Sequence, residues 1–105
     1  MERPDSIQGH TVRTKCGCGK LYISLNQHPD GYKEVFIWLG KSGGCSMSWC
    51  DAVARLITFA LNSGTPRDKI VRAMKGVRCP SPYIEILSCA DAIAKVLEGW
   101  EDETV

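Results

Sequence analysis

Six cysteines and one glycine-rich loop are the residues whose types and spacing could do chemistry in this chain. The cysteines come as Cys16-x-Cys18, Cys45-x4-Cys50 and Cys79-x9-Cys89. None of these pairs has the paired CxxC spacing of a zinc ribbon. Position says more than spacing. Cys18 precedes the first strand of an expected hairpin, Cys45 lies in the glycine loop, and Cys79 and Cys89 bracket a proline-containing loop. All four fall at element ends, where a small sheet-and-helix domain brings separate segments together, and four thiolates there would hold zinc. The alternative is that several are small buried hydrophobes, the usual state of an unpaired cysteine. Cys50, on the first turn of an expected helix, reads as core or surface. A helix N-terminus would lower the thiol pKa of Cys45 or Cys89, but no base is visible beside either.

The loop "LGKSGGCSMSWC" over 39–50 contains Gly40-Lys41-Ser42. A Walker A motif requires a glycine five positions before its Gly-Lys-Ser; Val35 stands there, and Gly43 and Gly44 separate the lysine from the following helix. A P-loop is excluded. Consecutive glycines still allow backbone N–H groups to converge on an anion next to a helix N-terminus. Gly40, Lys41, Ser42, Gly43, Gly44 and Ser46 are therefore the candidate residues for a phosphate, with Ser48 as a further hydroxyl. The plain alternative is a tight strand-to-helix turn needing positive φ at Gly43 or Gly44. His10 and His28 fall in an N-terminal arm and a turn, and no Ser-His-Asp, carboxylate-pair or HExxH arrangement is present. Trp38 and Trp49 read as core, and Trp100 as exposed or at an interface.

The elements that must position these residues follow from periodicity. Residues 1–12 form a polar arm, with an extended piece from Thr11 to Lys15. Residues 20–26, "KLYISLN", alternate, with Leu21, Ile23 and Leu25 on one face. Pro29-Asp30-Gly31 makes a turn into "KEVFIWLG", a β-branched and aromatic strand. Three helices follow, each expected to start at a Ser or Thr cap with an acid three residues on: Ser48 with Asp51, Thr65 with Asp68, Ser88 with Asp91. The first runs from Trp49 to Leu61 with Val53, Leu56, Ile57 and Ala60 inward. The second carries Ile70, Val71 and Met74 and ends at Gly76; the third carries Ile93, Ala94 and Leu97 and ends at Gly99. The order predicts an α+β domain over 13–99, a small antiparallel hairpin sheet followed by about three helices packed on one face. Residues 100–105 form an acidic tail.

At 105 residues the chain holds one core, and its net charge of +1 with 24% charged residues argues against nucleic acid or acidic lipid as a partner. No apolar run reaches the roughly 20 residues of a membrane span, and the N-terminus lacks a signal core. The expected location is the cytoplasm, where six cysteines point to free thiols, a metal site or redox chemistry more than to structural disulfides.

The stretches "CGKLYISLN" (18–26), "EVFIWLGKSGGC" (34–45), "ARLITFALNSG" (54–64), "MKGVRCPSP" (74–82) and "ILSCADAIAKVLE" (86–98) resemble the TSCPD domain. That domain is found near the C-terminus of adenosylcobalamin-dependent ribonucleotide reductases and as short standalone proteins. The family's naming motif ends Ser-Cys-Pro-Asp; here it reads Ser88-Cys89-Ala90-Asp91. The resemblance maps the family's recurrent cysteines onto Cys18, Cys45, Cys79 and Cys89, leaving Cys16 and Cys50 as additions. It also implies zinc as the candidate metal. Neither the reductase barrel, its cobalamin pocket nor a C-terminal CxxC pair is present, so no cobalamin and no ribonucleotide reduction are expected of this chain alone.

The expected function is a non-catalytic module binding a phosphorylated, nucleotide-like molecule, which regulates nucleotide metabolism or, in a phage, sequesters a nucleotide signal. An accessory domain docking on a ribonucleotide reductase and a zinc-stapled structural domain are the alternatives. A small domain with one binding loop is expected to complete its pocket with a neighbouring subunit, as a homo-oligomer; in the protein-interaction alternative, self-assembly would run through an edge strand and Trp100.

Overall fold

The computed structural model describes residues 2–17, 19–40, 44–79 and 85–100, with side chains in the third stretch described from Met47 onward. Three strands, β1 (Gly9–Cys16), β2 (Gly19–Gln27) and β3 (Lys33–Leu39), precede three helices, α1 (Gly44–Asn62), α2 (Arg67–Met74) and α3 (Cys89–Glu98). This is the expected α+β arrangement, with a third strand added to the hairpin. The sheet runs β1-β2-β3 and is antiparallel throughout. The β1 strand begins at Gly9, so residues 9–12, assigned to the arm on sequence, belong to the first strand.

Register and alternation together build the core. Val12 pairs with Ile23 and Ile23 with Ile37; Thr14 pairs with Leu21 and Leu21 with Leu39. Because successive side chains point to opposite faces, these rows share one face of the sheet. Leu21, Ile23, Leu25, Val35, Ile37 and Leu39 are buried there with Ile93, Ala94 and Leu97 of α3. The β2–β3 turn closes through the Gly31 N–H, which donates to the His28 carbonyl at 2.9 Å; Gly31 has φ of 101°, a conformation open to glycine at no steric cost.

The α1 helix flanks β3, one of the two edges of the sheet. Thr58 Oγ1 accepts from the Val35 N–H at 2.9 Å and donates to the Val35 carbonyl at 3.2 Å. One turn on, Asn62 Oδ1 accepts from the Lys33 N–H at 3.0 Å, and Asn62 Nδ2 donates to the Lys33 carbonyl at 2.6 Å. Two helix side chains thus replace the backbone of a missing neighbour strand. An unpaired edge would otherwise be a template for another chain.

This placement corrects several expectations. Leu56, expected inward, is 67% exposed, and Trp49, expected in the core, is 71% exposed, because α1 turns Cys50, Ala54 and Ile57 to the interior instead. Trp100, expected outside, is buried among the core residues, and Trp38 lies on the solvent side of the sheet. The α1 helix also starts at Gly44, so Ser48 lies within it and is not its cap. The α2 helix is preceded by Pro66, with no side-chain cap bond from Thr65. Only α3 is capped as expected: Ser88 Oγ accepts from the Asp91 N–H at 3.0 Å.

Candidate functional site

The face of the sheet turned away from the core carries the aromatic and basic residues. Alternation puts Lys20, Tyr22 and Ser24 on this side of β2, and register sets Lys15 opposite Lys20, Arg13 opposite Tyr22, and Tyr22 opposite Trp38. The Tyr22 and Trp38 rings stack with centroids 5.7 Å apart and planes 9° from parallel. Phe36, one pleat along β3, is 47% exposed and Trp38 37%, so aromatic surface remains open to solvent. Lys15, Lys20 and Arg13 are exposed around it.

The same end of the sheet leads into the glycine loop. The Gly40 N–H donates to the Lys20 carbonyl at 2.8 Å. A β-carbon on Gly40 would stand 3.3 Å from Tyr22 Cε2, so the chain leaves β3 close against the aromatic pair. Lys41, Ser42 and Gly43 come next and lie outside the described residues; Gly44 and Ser46 belong to the first turn of α1. Sequence reasoning found the loop but missed Tyr22 and Trp38 as a surface. The signal was present in the alternation: Tyr22 shares its face with Lys20, opposite Leu21 and Ile23.

The opposite end of this face is closed and acidic. Glu34 is 2% exposed and receives Arg3 Nε at 2.8 Å and Asn26 Nδ2 at 3.4 Å. A cleft of about 820 Å³ elsewhere, between the end of α1 and the start of α2, mixes Lys33, Arg67 and Arg72 with Asp68 and Glu98. Its charges oppose one another, which makes it a poor match for an anion.

The second candidate is the cysteine set. Cys16, the last residue of β1, meets Cys89, the first of α3, with Sγ atoms 2.9 Å apart. Cys16 is 4% exposed. Cys79 lies in the segment leading to α3, where its N–H donates to the Leu87 carbonyl at 3.1 Å. Cys18 and the side chain of Cys45 lie outside the described residues. Among the described residues no three potential ligands converge. Cys16, which the resemblance left as an addition, is thus the cysteine set against Cys89. The parity of β1 pointed to it, since Cys16 shares the inward face of Val12 and Thr14. Cys50 is buried in the core on α1.

The position of Cys89 depends on the start of α3, which Asp91 anchors. Its carboxylate, 1% exposed, accepts from the Gly76 N–H at 2.8 Å and the Leu87 N–H at 3.1 Å, and pairs with Lys95 at 3.0 Å. Burial opposes its ionisation, but the two N–H donors and the Lys95 ammonium outweigh burial and hold the pKa down at about 2. Gly76 has φ of 87°, which lets its N–H turn back to that carboxylate.

The model of the TSCPD domain matches residues 1–99 of the chain. No curated protein and no solved structure matches it.

Proposed function

From the premise that the chain belongs to the TSCPD domain family, which is associated with ribonucleotide reductases, we propose that it is a non-catalytic module binding a phosphorylated, nucleotide-like ligand. The observation that supports this is the stacked Tyr22–Trp38 pair on an open sheet face, bordered by Lys15 and Lys20 and running directly into Gly40. A nucleobase stacks on an aromatic ring whatever its hydrogen-bonding edge, a contribution of about 1–3 kcal/mol. The phosphate then falls toward Lys20 and Lys15, and Lys41 and Ser42, which lie outside the described residues, are the further candidates from the sequence. Such a module regulates nucleotide metabolism or withholds a nucleotide signal.

Titration calorimetry against mono-, di- and cyclic nucleotides tests the reading. Trp38→Ala is expected to weaken binding about tenfold or more, the equivalent of one stacked base. Lys20→Ala and Lys41→Ala are expected to weaken phosphorylated ligands while leaving the nucleoside unaffected. Absence of heat with every nucleotide in the panel would sink the proposal.

The placing of Cys16 beside Cys89 supports a second, compatible reading, a zinc-stapled domain, in which their Sγ atoms would open from 2.9 Å to the roughly 3.8 Å of two tetrahedral thiolate ligands. Cys16 and Cys89 would supply two thiolates, with Cys79, Cys18 and Cys45 as the further candidates. Zinc bound there would tie the end of β1 to the start of α3. Elemental analysis of the purified protein is expected to give one zinc per chain, and chelation to lower the melting temperature. An unchanged melt after chelation would remove this reading.

A further inference from the structure

The core does not use one face of α1. Trp49, Leu56 and Phe59 are 71%, 67% and 71% exposed, and at about 100° per residue they lie, with Ala52, within an arc of roughly 80°. A second apolar stripe on a helix that already buries Cys50, Ala54 and Ile57 is an unpartnered surface, larger than scattered exposed residues explain. We infer that this stripe is the interface of a homodimer, in which α1 packs antiparallel on α1 of a second copy about a two-fold axis near Ala54.

The pattern is self-complementary under that operation. An isologous contact brings each position onto its mirror position along the antiparallel partner. With the axis at Ala54, Trp49 meets Phe59 and the small Ala52 meets the large Leu56, so bulk faces bulk at the ends and a knob meets a hole at the centre. Charge agrees with this register. Asp51 and Arg55 pair along one flank of the stripe, with Arg55 Nε 3.1 Å from Asp51 Oδ2 and both side chains exposed. The two-fold places this flank beside its own copy, with Asp51 and the second copy's Arg55 only about 3 Å apart along the axis. Each arginine then has two carboxylates in reach. Two aromatic rings and a leucine offer on the order of 400–500 Å² per copy, which with the flanking stems reaches roughly the 1,000 Å² of a specific interface.

Two of the other routes to self-assembly are closed. The β3 edge is capped by Thr58 and Asn62, and Trp100 is buried. The stripe adjoins the open sheet face, since Phe36 shares a groove with Asp51, Arg55 and Phe59, but the inference does not depend on what that face binds.

Light scattering coupled to gel filtration on the full chain tests the inference. The wild type is expected at twice the chain mass of 11.6 kDa. Leu56→Glu is expected at the chain mass, with an unaltered circular-dichroism spectrum because the side chain is exposed. Asp51→Arg is expected to weaken the dimer by at least tenfold, and the exchange D51R with R55D to restore it. A wild type that remains a monomer at 100 μM overturns the proposal, including a monomer that pairs only with a ribonucleotide reductase. So does a dimer that survives Leu56→Glu with undiminished affinity.

Discussion

At the scale of single residues, Asp91 connects the naming motif of the family to the stability of the fold. Its carboxylate joins three segments: Gly76 after α2, Leu87 before α3 and Lys95 within α3. Asp91→Ala removes a buried acceptor from two N–H donors and a cation, and is expected to lower the unfolding free energy by about 3 kcal/mol, as measured by urea denaturation. The same group sets a pH dependence. Its pKa falls from 3.8 to about 2 on folding, so its stabilisation is fully present above pH 4. As pH drops below 3.8 the unfolded chain takes up the proton first, and the contribution is lost progressively down to about pH 2. In Asp91→Asn that part of the acid sensitivity is expected to disappear.

At the scale of elements, the α1–β3 contact explains why β3 can end the sheet. Sheets protect an edge with charge, proline or a covering element; here a helix covers it and satisfies the outward N–H and carbonyl groups of Lys33 and Val35 through Asn62 and Thr58. Thr58→Val keeps the shape but strands both groups of Val35, and Asn62→Leu does the same at Lys33. Each is expected to cost about 1–3 kcal/mol. Hydrogen exchange separates this mechanism from general loosening: the amide of Val35 is expected to lose protection in Thr58→Val, and that of Lys33 in Asn62→Leu. Equal loss along all three strands would count against it.

At the scale of the whole molecule, the two surfaces divide the work. The sheet offers its core face to α3 and its other face to solvent, while α1 stands at the edge with one apolar stripe inward and one outward. The N-terminal segment belongs to this architecture. Arg3 reaches Glu34 at 2.8 Å, and the Gln27 N–H donates to the Gln8 carbonyl at 3.1 Å, so residues before β1 close the acidic end of the open face. Glu34 is almost fully buried, whereas Arg3 is half exposed, which screens the pair. Arg3→Ala is therefore expected to cost about 1–2 kcal/mol, less than the loss of a fully buried partner. Thermal denaturation of that variant beside Asn26→Ala reads the two partners of Glu34 separately.

Local signals were enough for much of this protein. Alternation over "KLYISLN" determined which side of β2 is core, and Pro29-Asp30-Gly31 determined the turn. Ser88 with Asp91 determined the start of α3, because a cap acts within one turn of chain. The resemblance carried by the cysteine-bearing stretches agreed with the TSCPD family match over 1–99. Where α1 lies was a tertiary decision. A helix on the face of a sheet would bury Leu56; on the edge it turns Thr58 and Asn62 to β3 and leaves Trp49, Leu56 and Phe59 outside. Both faces of α1 are apolar, so periodicity alone could not choose between them. Hydrogen-bonding demand from the β3 backbone made the choice. The meeting of Cys16 with Cys89 was decided in the same way, by strand register and by the docking of α3, across a separation of 73 residues that no local pattern spans.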